Sequence, residues 1–393
     1  MGFVGEVFNF RDFDPEASSD VEVLMETWDS DGLNIFPLFD GFWACIIHDL
    51  MEDVVHVVTD PLGKKPLYIH AASCSISSEI KALIEVAGID ARIEFDELYF
   101  SSVQKWGYHV GDETPIKGIL KIRPSTHLVI RDGRIVYGEK YVAVKPRKVD
   151  LRNAIEVSVS NRMVSDVPVA CLLSGGLDSS IVFKLMLRHR QDFTVIHVDN
   201  GEEEFLNYLD IPSSVTVIKV PKIDDAVSIE TLKQIVLANE SPSDLGSMIP
   251  QYRMSKALKK NGIHVVMTGD GADELFGGYR RSQEYDSQWS DVFQELVYYH
   301  LPRLDKLSMA HTVELRSPFL SLPVVEAALA LPYGSRIDKN GLKSVFTDII
   351  PAPILARPKL PLKSPQVKNL GLEWVRHLCN VYKEAINESY RNG

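Results

Sequence analysis

The sequence predicts an α/β protein in which a doubly wound parallel sheet follows a smaller antiparallel α+β domain. Short β-like runs punctuated by turn residues fill positions 3 to about 140. From about 167 onward, apolar β-rich runs alternate with helical segments, the pattern of parallel strands joined by crossover helices. Between the two patterns VAVKPRKVD (142–150) is polar and contains Pro146, so the expected domains are 1–145 and 150–393. A length of 393 residues suits two domains, each able to bury its own core.

In the first domain the strands are read from FVGEVFNF, GFWACIIHD, VVHVVTD and PLYIH, and from THLVIRDGRIVYG, where Asp132-Gly133 invites a two-residue hairpin. Two helices are expected. One runs from Asp20 to about Trp28, and one lies in SSEIKALIEVAG, with Ser78 as its cap and Ile80, Leu83 and Ile84 as its apolar stripe. In the second domain the strands are VPVACLL (167–173), FTVIHV (193–198), VTVIKV (215–220) and IHVVMTG (263–269). Helices are expected from about Ser179, near 228–238 and near 251–260, and the chain beyond about 290 reads as mostly helical.

Composition narrows the function. Apolar residues make up 45% and charged residues 24%, ordinary globular usage, which argues against wholesale disorder. The net charge is -12, and residues 1–60 hold fourteen carboxylates against Arg11 alone. With no Lys/Arg run or basic stripe, capture of nucleic acid or anionic lipid is disfavoured and small substrates are expected. Cys45, Cys74, Cys171 and Cys379 form no C-x-x-C pair and read as reduced thiols, mostly buried. No apolar stretch approaches the roughly 20 residues of a membrane span, and no leader pattern opens the chain, so a cytoplasmic protein is expected.

The chemistry is carried by VACLLSGGLDSSIVFKLM, which reads as a strand ending at Leu173, a loop Ser174-Gly175-Gly176-Leu177-Asp178, and a helix beginning at Ser179-Ser180. The glycines are expected to turn with positive φ and present successive N–H groups beside the positive end of the helix, a surface that binds phosphate. No G-x-x-x-x-G-K-[ST] occurs; Gly341-Leu342-Lys343-Ser344 lacks its first glycine. An Asp within an anion-binding loop repels phosphate unless a cation lies between them. Asp178 therefore points to Mg²⁺ and a metal-bound polyphosphate. The plainer alternative is a β-to-α turn with Asp178 as a helix cap.

SGGLDSS resembles the pyrophosphate-binding loop of the N-type ATP pyrophosphatases, and the carboxy-terminal half resembles the asparagine synthetase family, which includes β-lactam-forming synthetases and lasso-peptide cyclases. The resemblance covers about 150–368 in separated blocks: SGGLDSS, HVVMTGDGADELFGGY (264–279), DKLSMAHTVELRSPFL (305–320) and ILARPKLPLKSP (354–365). It implies an adenine-nucleotide hydrolase-like fold that uses ATP and Mg²⁺. By carry-over, Leu172, Ser174, Gly175, Gly176, Leu177, Asp178, Ser179, Ser180, Ile196, Thr268 and Gly269 contact the nucleotide. Asp273 joins Asp178 on the metal, Asp270 stands near the incoming amine, and Lys359 neutralises charge between the α-phosphate and departing pyrophosphate.

The first domain resembles the family's N-terminal-nucleophile (Ntn-like) glutaminase domain, but here Met1-Gly2 replaces Met-Cys and the match starts at a strand well inside that domain. The glutamine-binding Asn-Gly pair is Val4-Gly5. A truncated, inactive glutaminase is therefore expected, a scaffold to which homodimerisation is open as a role. Ser321 stands where an Asp is common after PFL, and Leu360-Pro361 where Gly-Phe is common, which leaves the acceptor open.

The expected function is an AMP- and pyrophosphate-forming amide synthetase joining a small carboxylate to ammonia or another amine. The alternatives are an intramolecular amide-forming synthetase of the β-lactam or lasso-peptide type, a nucleic-acid-modifying ATP pyrophosphatase, and a binding protein that keeps the fold without catalysis. No H-E-x-x-H or G-x-S-x-G supports a metalloprotease or serine hydrolase.

Overall fold

The computed structural model describes residues 1–89, 93–199, 201, 203–221, 227–243, 245–279, 294–357 and 371–390, excluding the side chains of 245 and 371–374. Strands β1 (Gly2–Val7), β2 (Gly41–Asp49), β3 (Val54–Thr59), β7 (Thr126–Arg131) and β8 (Arg134–Lys140) form an antiparallel sheet in the order β1-β2-β3-β7-β8. A second antiparallel sheet has the order β5-β4-β6, from β4 (Tyr68–His70), β5 (Ile76–Ser77) and β6 (Ile119–Lys121). The β7–β8 loop is Asp132-Gly133, both at positive φ (51° and 67°), as a two-residue hairpin requires.

Alternation explains the layering. Trp43, Cys45, Ile47 and Val58 face α1 (Asp20–Asp31) with Val23, Leu24 and Phe36. The opposite side of the same strands, Ala44 and Val57, meets Ile69 and Ile122 of the second sheet's region. Helices α2 (Ile80–Val86) and α3 (Glu97–Trp106) cover the far side through Leu83, Phe100 and Val103. The order is helix, sheet, sheet, helix. The expected Ser78 cap is not formed: Glu79 is the N-cap residue and gives no side-chain bond. Helix α3 was not expected from the sequence; Asp96 caps it by accepting from Tyr99 N, and Gly107 closes it at φ 84°.

After α4 (Leu151–Arg162), strands β9 (Val169–Leu172), β10 (Thr194–Val198), β11 (Thr216–Val220), β12 (Val265–Met267) and β13 (Glu314–Arg316) form an all-parallel sheet ordered β11-β10-β9-β12-β13. Cys171, Val195 and Met267 pack against α4 and α5 (Leu177–His189) on one face. Ala170, Ile196 and Val266 face Met254 and Leu258 of α7 (Leu245–Lys260) on the other, while α6 (Ile229–Asn239) packs near α2 and α3. This is the expected doubly wound sheet. Its strand order reverses between β9 and β12, where the crevice at the carboxyl ends is the usual place for a ligand in such folds. Among the described residues no helix is long and apolar enough to cross a membrane.

Candidate active site at the sheet's switch point

The loops at the switch point are SGGLDSS after β9 and TGDGADE after β12. Leu172 pairs with Ile196 across β9 and β10, and Leu173 N donates to the Ile196 carbonyl at 2.9 Å. Buried His197 meets the Leu173 carbonyl through Nδ1 at 2.9 Å, fixing the strand end from which the loop leaves. Gly175 turns at φ 75°, but Gly176 does not: it is the N-cap residue of α5 at φ −79°. The helix therefore starts at Leu177, earlier than expected, with Asp178 in its first turn rather than capping it.

Three polar contacts shape the loop. Ser179 Oγ donates to the Gly176 carbonyl (3.1 Å), Ser174 N donates to Ser179 Oγ (3.2 Å), and Gly176 N donates to Ser174 Oγ (3.3 Å). Ser180 Oγ and Thr268 Oγ1 are both buried without a hydrogen-bond partner among the described residues. Arg357 reaches the Ser174 carbonyl at 3.5 Å and stacks over Phe205. Lys359 itself lies outside the described residues.

Gly269 makes the two loops touch. A Cβ there would stand 2.7 Å from Asp178 Cβ and 3.0 Å from Ser179 N, so only glycine lets the second loop settle on the first turn of α5. Gly271 (φ 86°) lies on Leu320, and the Asp270 carbonyl accepts from Ser317 Oγ. The DKLSMAHTVELRSPFL block thus supports the acid loop from below. Its extended part contributes β13, a fifth parallel strand where the sequence showed only an extended stretch.

The site centres on Lys339, which sequence reasoning missed. Its Nζ contacts Asp178 Oδ2 and lies 2.5 Å from Asp273 Oδ1. Burial works to lower the Lys339 pKa, but the two carboxylates outweigh it and hold the ammonium above its ordinary value. Asp338 and Lys339 both adopt left-handed backbone (φ 54° and 60°), anchored by Asp338 N to the Gly277 carbonyl and Lys339 N to the Phe276 carbonyl. Nothing in IDKNG separates this lysine from a solvated turn residue. Only the fold brings it to the two acids.

The third acid of the loop follows other rules. Glu274 is buried and accepts from Tyr279 Oη at 2.5 Å, with His300 Nε2 at 3.4 Å. Burial, then neighbouring Asp273, push its carboxyl up to about 7 against the Tyr279 bond. Asp270 is half-buried on the same loop.

The donor set fits a magnesium–polyphosphate. Among the described residues no three His, Cys, Asp or Glu side chains gather as a self-sufficient metal site. Mg²⁺, however, commonly takes one or two carboxylates and completes its shell with water and substrate phosphate. Asp178 and Asp273 already converge on a cation, and the N-terminus of the thirteen-residue helix α5 and the orphaned Ser180 and Thr268 hydroxyls stand at the same crevice.

Residues 150–294 and 282–392 match the asparagine synthase family, and residues 1–142 match the glutamine amidotransferase domain family. The chain is 25% identical to the glutamine-hydrolyzing asparagine synthetase of Bos taurus, covering 98% of this chain and 75% of that protein. It is 25% identical to asparagine synthetase 1 of Bacillus subtilis (99% and 79% covered) and 25% identical to the Homo sapiens enzyme (98% and 75% covered).

Proposed function

This chain belongs to the asparagine synthase family, and from that premise we propose that it is a carbon–nitrogen ligase that activates a small carboxylate with ATP and transfers the acyl group to ammonia or another amine. The observation that carries the reading is the convergence of Asp178 and Asp273 on one buried cation, where a helix N-terminus meets the acid loop at the switch point of the sheet.

A carboxylate and an amine do not condense unaided at neutral pH, because the carboxylate oxygen is a poor leaving group. In the proposed reaction the substrate carboxylate attacks the α-phosphorus of ATP and pyrophosphate leaves, giving an acyl-adenylate; the amine then attacks the acyl carbon and AMP leaves. The Ser174–Ser180 segment holds the polyphosphate through the backbone N–H groups that its internal bonds from Ser174, Gly176 and Ser180 leave over, with Leu172, Leu177, Ile196, Thr268 and Gly269 lining the nucleotide. Lys339, and Lys359 by family resemblance, offset the charge that develops as pyrophosphate departs. Asp178 and Asp273 would hold Mg²⁺, whose role is to neutralise phosphate charge. Asp270 takes the proton released when the amine forms its new bond.

The amino-terminal domain, proposed as 1–145, is read as a scaffold without glutaminase activity. Val4 offers no polar side chain at the position of the glutamine-binding Asn, and burial pushes the Cys45 and Cys379 thiols up to about 12 and about 11, far from a reactive thiolate. A cytoplasmic setting and small-molecule partners belong to the same proposal, supported by four cysteines that remain free. The test is product analysis with ammonia and glutamine in parallel. The account expects one AMP per amide formed and turnover with ammonia; ADP as product, or equal turnover with glutamine, goes against it.

A further inference from the structure

A second cleft lies across the junction of the two domains. It is walled by Tyr108–Pro115 of the amino-terminal domain, the end of α6 and the helix Leu301–Met309. None of its residues belongs to Ser174–Ser180 or Thr268–Glu274, so it is separate from the nucleotide loops. Its wall is a mixture of tyrosine rings and charged tips.

The polar groups are complementary to one kind of ligand. The Lys121 ammonium donates to the Val297 carbonyl at 3.1 Å and sits 5.4 Å from the Tyr298 ring centre, with no carboxylate within ion-pair distance among the described residues. Burial, then nearby Lys306, push its pKa down to about 8, the mark of a cation whose counter-charge is not supplied. Lys306, by contrast, is matched by Glu240 at 2.5 Å. The cleft thus carries one unmatched positive group.

Two residues that line the same cleft hold unpartnered acceptors. Asn239 is 4% exposed; its amide Nδ2 donates to the Ser241 carbonyl (2.8 Å) and to Ser243 Oγ (3.1 Å), which leaves Oδ1 buried without a partner. His109 meets the Glu113 carboxylate through Nε2 at 3.0 Å, which assigns the proton to Nε2 and leaves buried Nδ1 an unpartnered acceptor. Gly111 makes room for that pair, since a Cβ there would stand 2.3 Å from Glu113 Oε2 and 2.7 Å from His109 Nε2. Buried acceptors left unmade cost free energy, so their occurrence in the lining of the cleft that also holds an unmatched ammonium points to a ligand bearing both a donor and an anion.

We propose that this cleft binds a free amino acid as its zwitterion, the carboxylate on Lys121 and the ammonium on Asn239 Oδ1 and His109 Nδ1. Contacts run from the cleft to the acid loop. Arg303 lines the cleft and approaches His300 Nδ1 at 3.3 Å, and His300 Nε2 in turn faces Glu274.

The test is calorimetric titration of the full chain, without ATP, with aspartate, glutamate, asparagine and glycine, and with acetate and ethylammonium as half-ligands. At least one amino acid is expected to bind saturably and more tightly than either half-ligand. Lys121→Met and Asn239→Leu are each expected to weaken it by about tenfold or more, as loss of a buried charge or hydrogen-bond partner does, with ATP affinity unchanged. Lys121→Gln serves if Lys121→Met does not fold. No amino-acid binding, equal binding of a half-ligand, or binding indifferent to these variants would overturn the inference. Carboxylate-dependent pyrophosphate release is measured separately, so a failure here leaves the proposed reaction standing, and the reverse.

Discussion

Replacing Lys339 with methionine removes the cation that Asp178 and Asp273 share and keeps a side chain of similar length. The Lys339 side chain is 7% exposed and each aspartate 13% exposed, so solvent screens the remaining repulsion poorly. Breaking a buried ion pair by deleting one partner costs about 3–5 kcal/mol, because the other charge stays buried and uncompensated. At roughly 2–4 °C per kcal/mol for a domain of this size, the thermal midpoint of Lys339→Met in EDTA falls by roughly 6–20 °C. Excess Mg²⁺ then recovers part of the loss in the variant and changes the wild type much less, since the two carboxylates are left free to share a divalent ion. Differential scanning calorimetry in EDTA and in magnesium reads both effects. A variant midpoint within about 2 °C of wild type in EDTA, or a magnesium shift equal in the two proteins, would refute the reasoning.

Other residues give sharper local tests. Gly269→Ala drives a methyl group against Asp178 and Ser179 N, and is expected to cost about 1–3 kcal/mol in chemical denaturation and to lower pyrophosphate exchange more than that loss alone explains. Asp270→Asn is expected to keep adenylate formation and lose most amide formation; an unchanged amide yield removes Asp270 from the mechanism. His127 is pushed down to about 4 from 6.5 by burial and then by His56, whose Nδ1 lies 2.9 Å from His127 Nε2. The folded state therefore binds fewer protons than the unfolded one between these values, so this contribution is full above pH 6.5 and is lost as pH falls toward 4, by at most about 3 kcal/mol. His127→Gln should flatten that acid limb in denaturation measured from pH 7 to pH 4, and an unchanged slope counts against the assignment.

The parallel sheet was legible because its central strands are mostly buried and read as largely apolar runs, VACL and TVIHV among them. Helix α3 was not, since ELYFSSVQKW mixes aromatic residues and Val103 with polar ones, and its capping Asp96 follows RIEF, where charged and apolar residues alternate as in a strand. The start of α5 was misplaced because a glycine before a helix can be either turn or N-cap, and only the observed φ of Gly176 separates these. At the site, SGGLDSS and TGDGADE were legible because their residues are contiguous and chemically costly. Lys339 and His300 were not, because each acquires its role from a partner distant in sequence: Lys339 lies 161 residues from Asp178.

ATP–pyrophosphate exchange, run with magnesium over a panel of small carboxylates beginning with aspartate, in wild type and in Asp178→Asn, tests the central claim most directly. Label should enter ATP only when a suitable carboxylate is present, with the rate in Asp178→Asn lowered by about a hundredfold or more, the scale of losing a main charge-stabilising group. Exchange that ignores the carboxylate, exchange undiminished in Asp178→Asn, or cleavage of ATP to ADP and phosphate would contradict it.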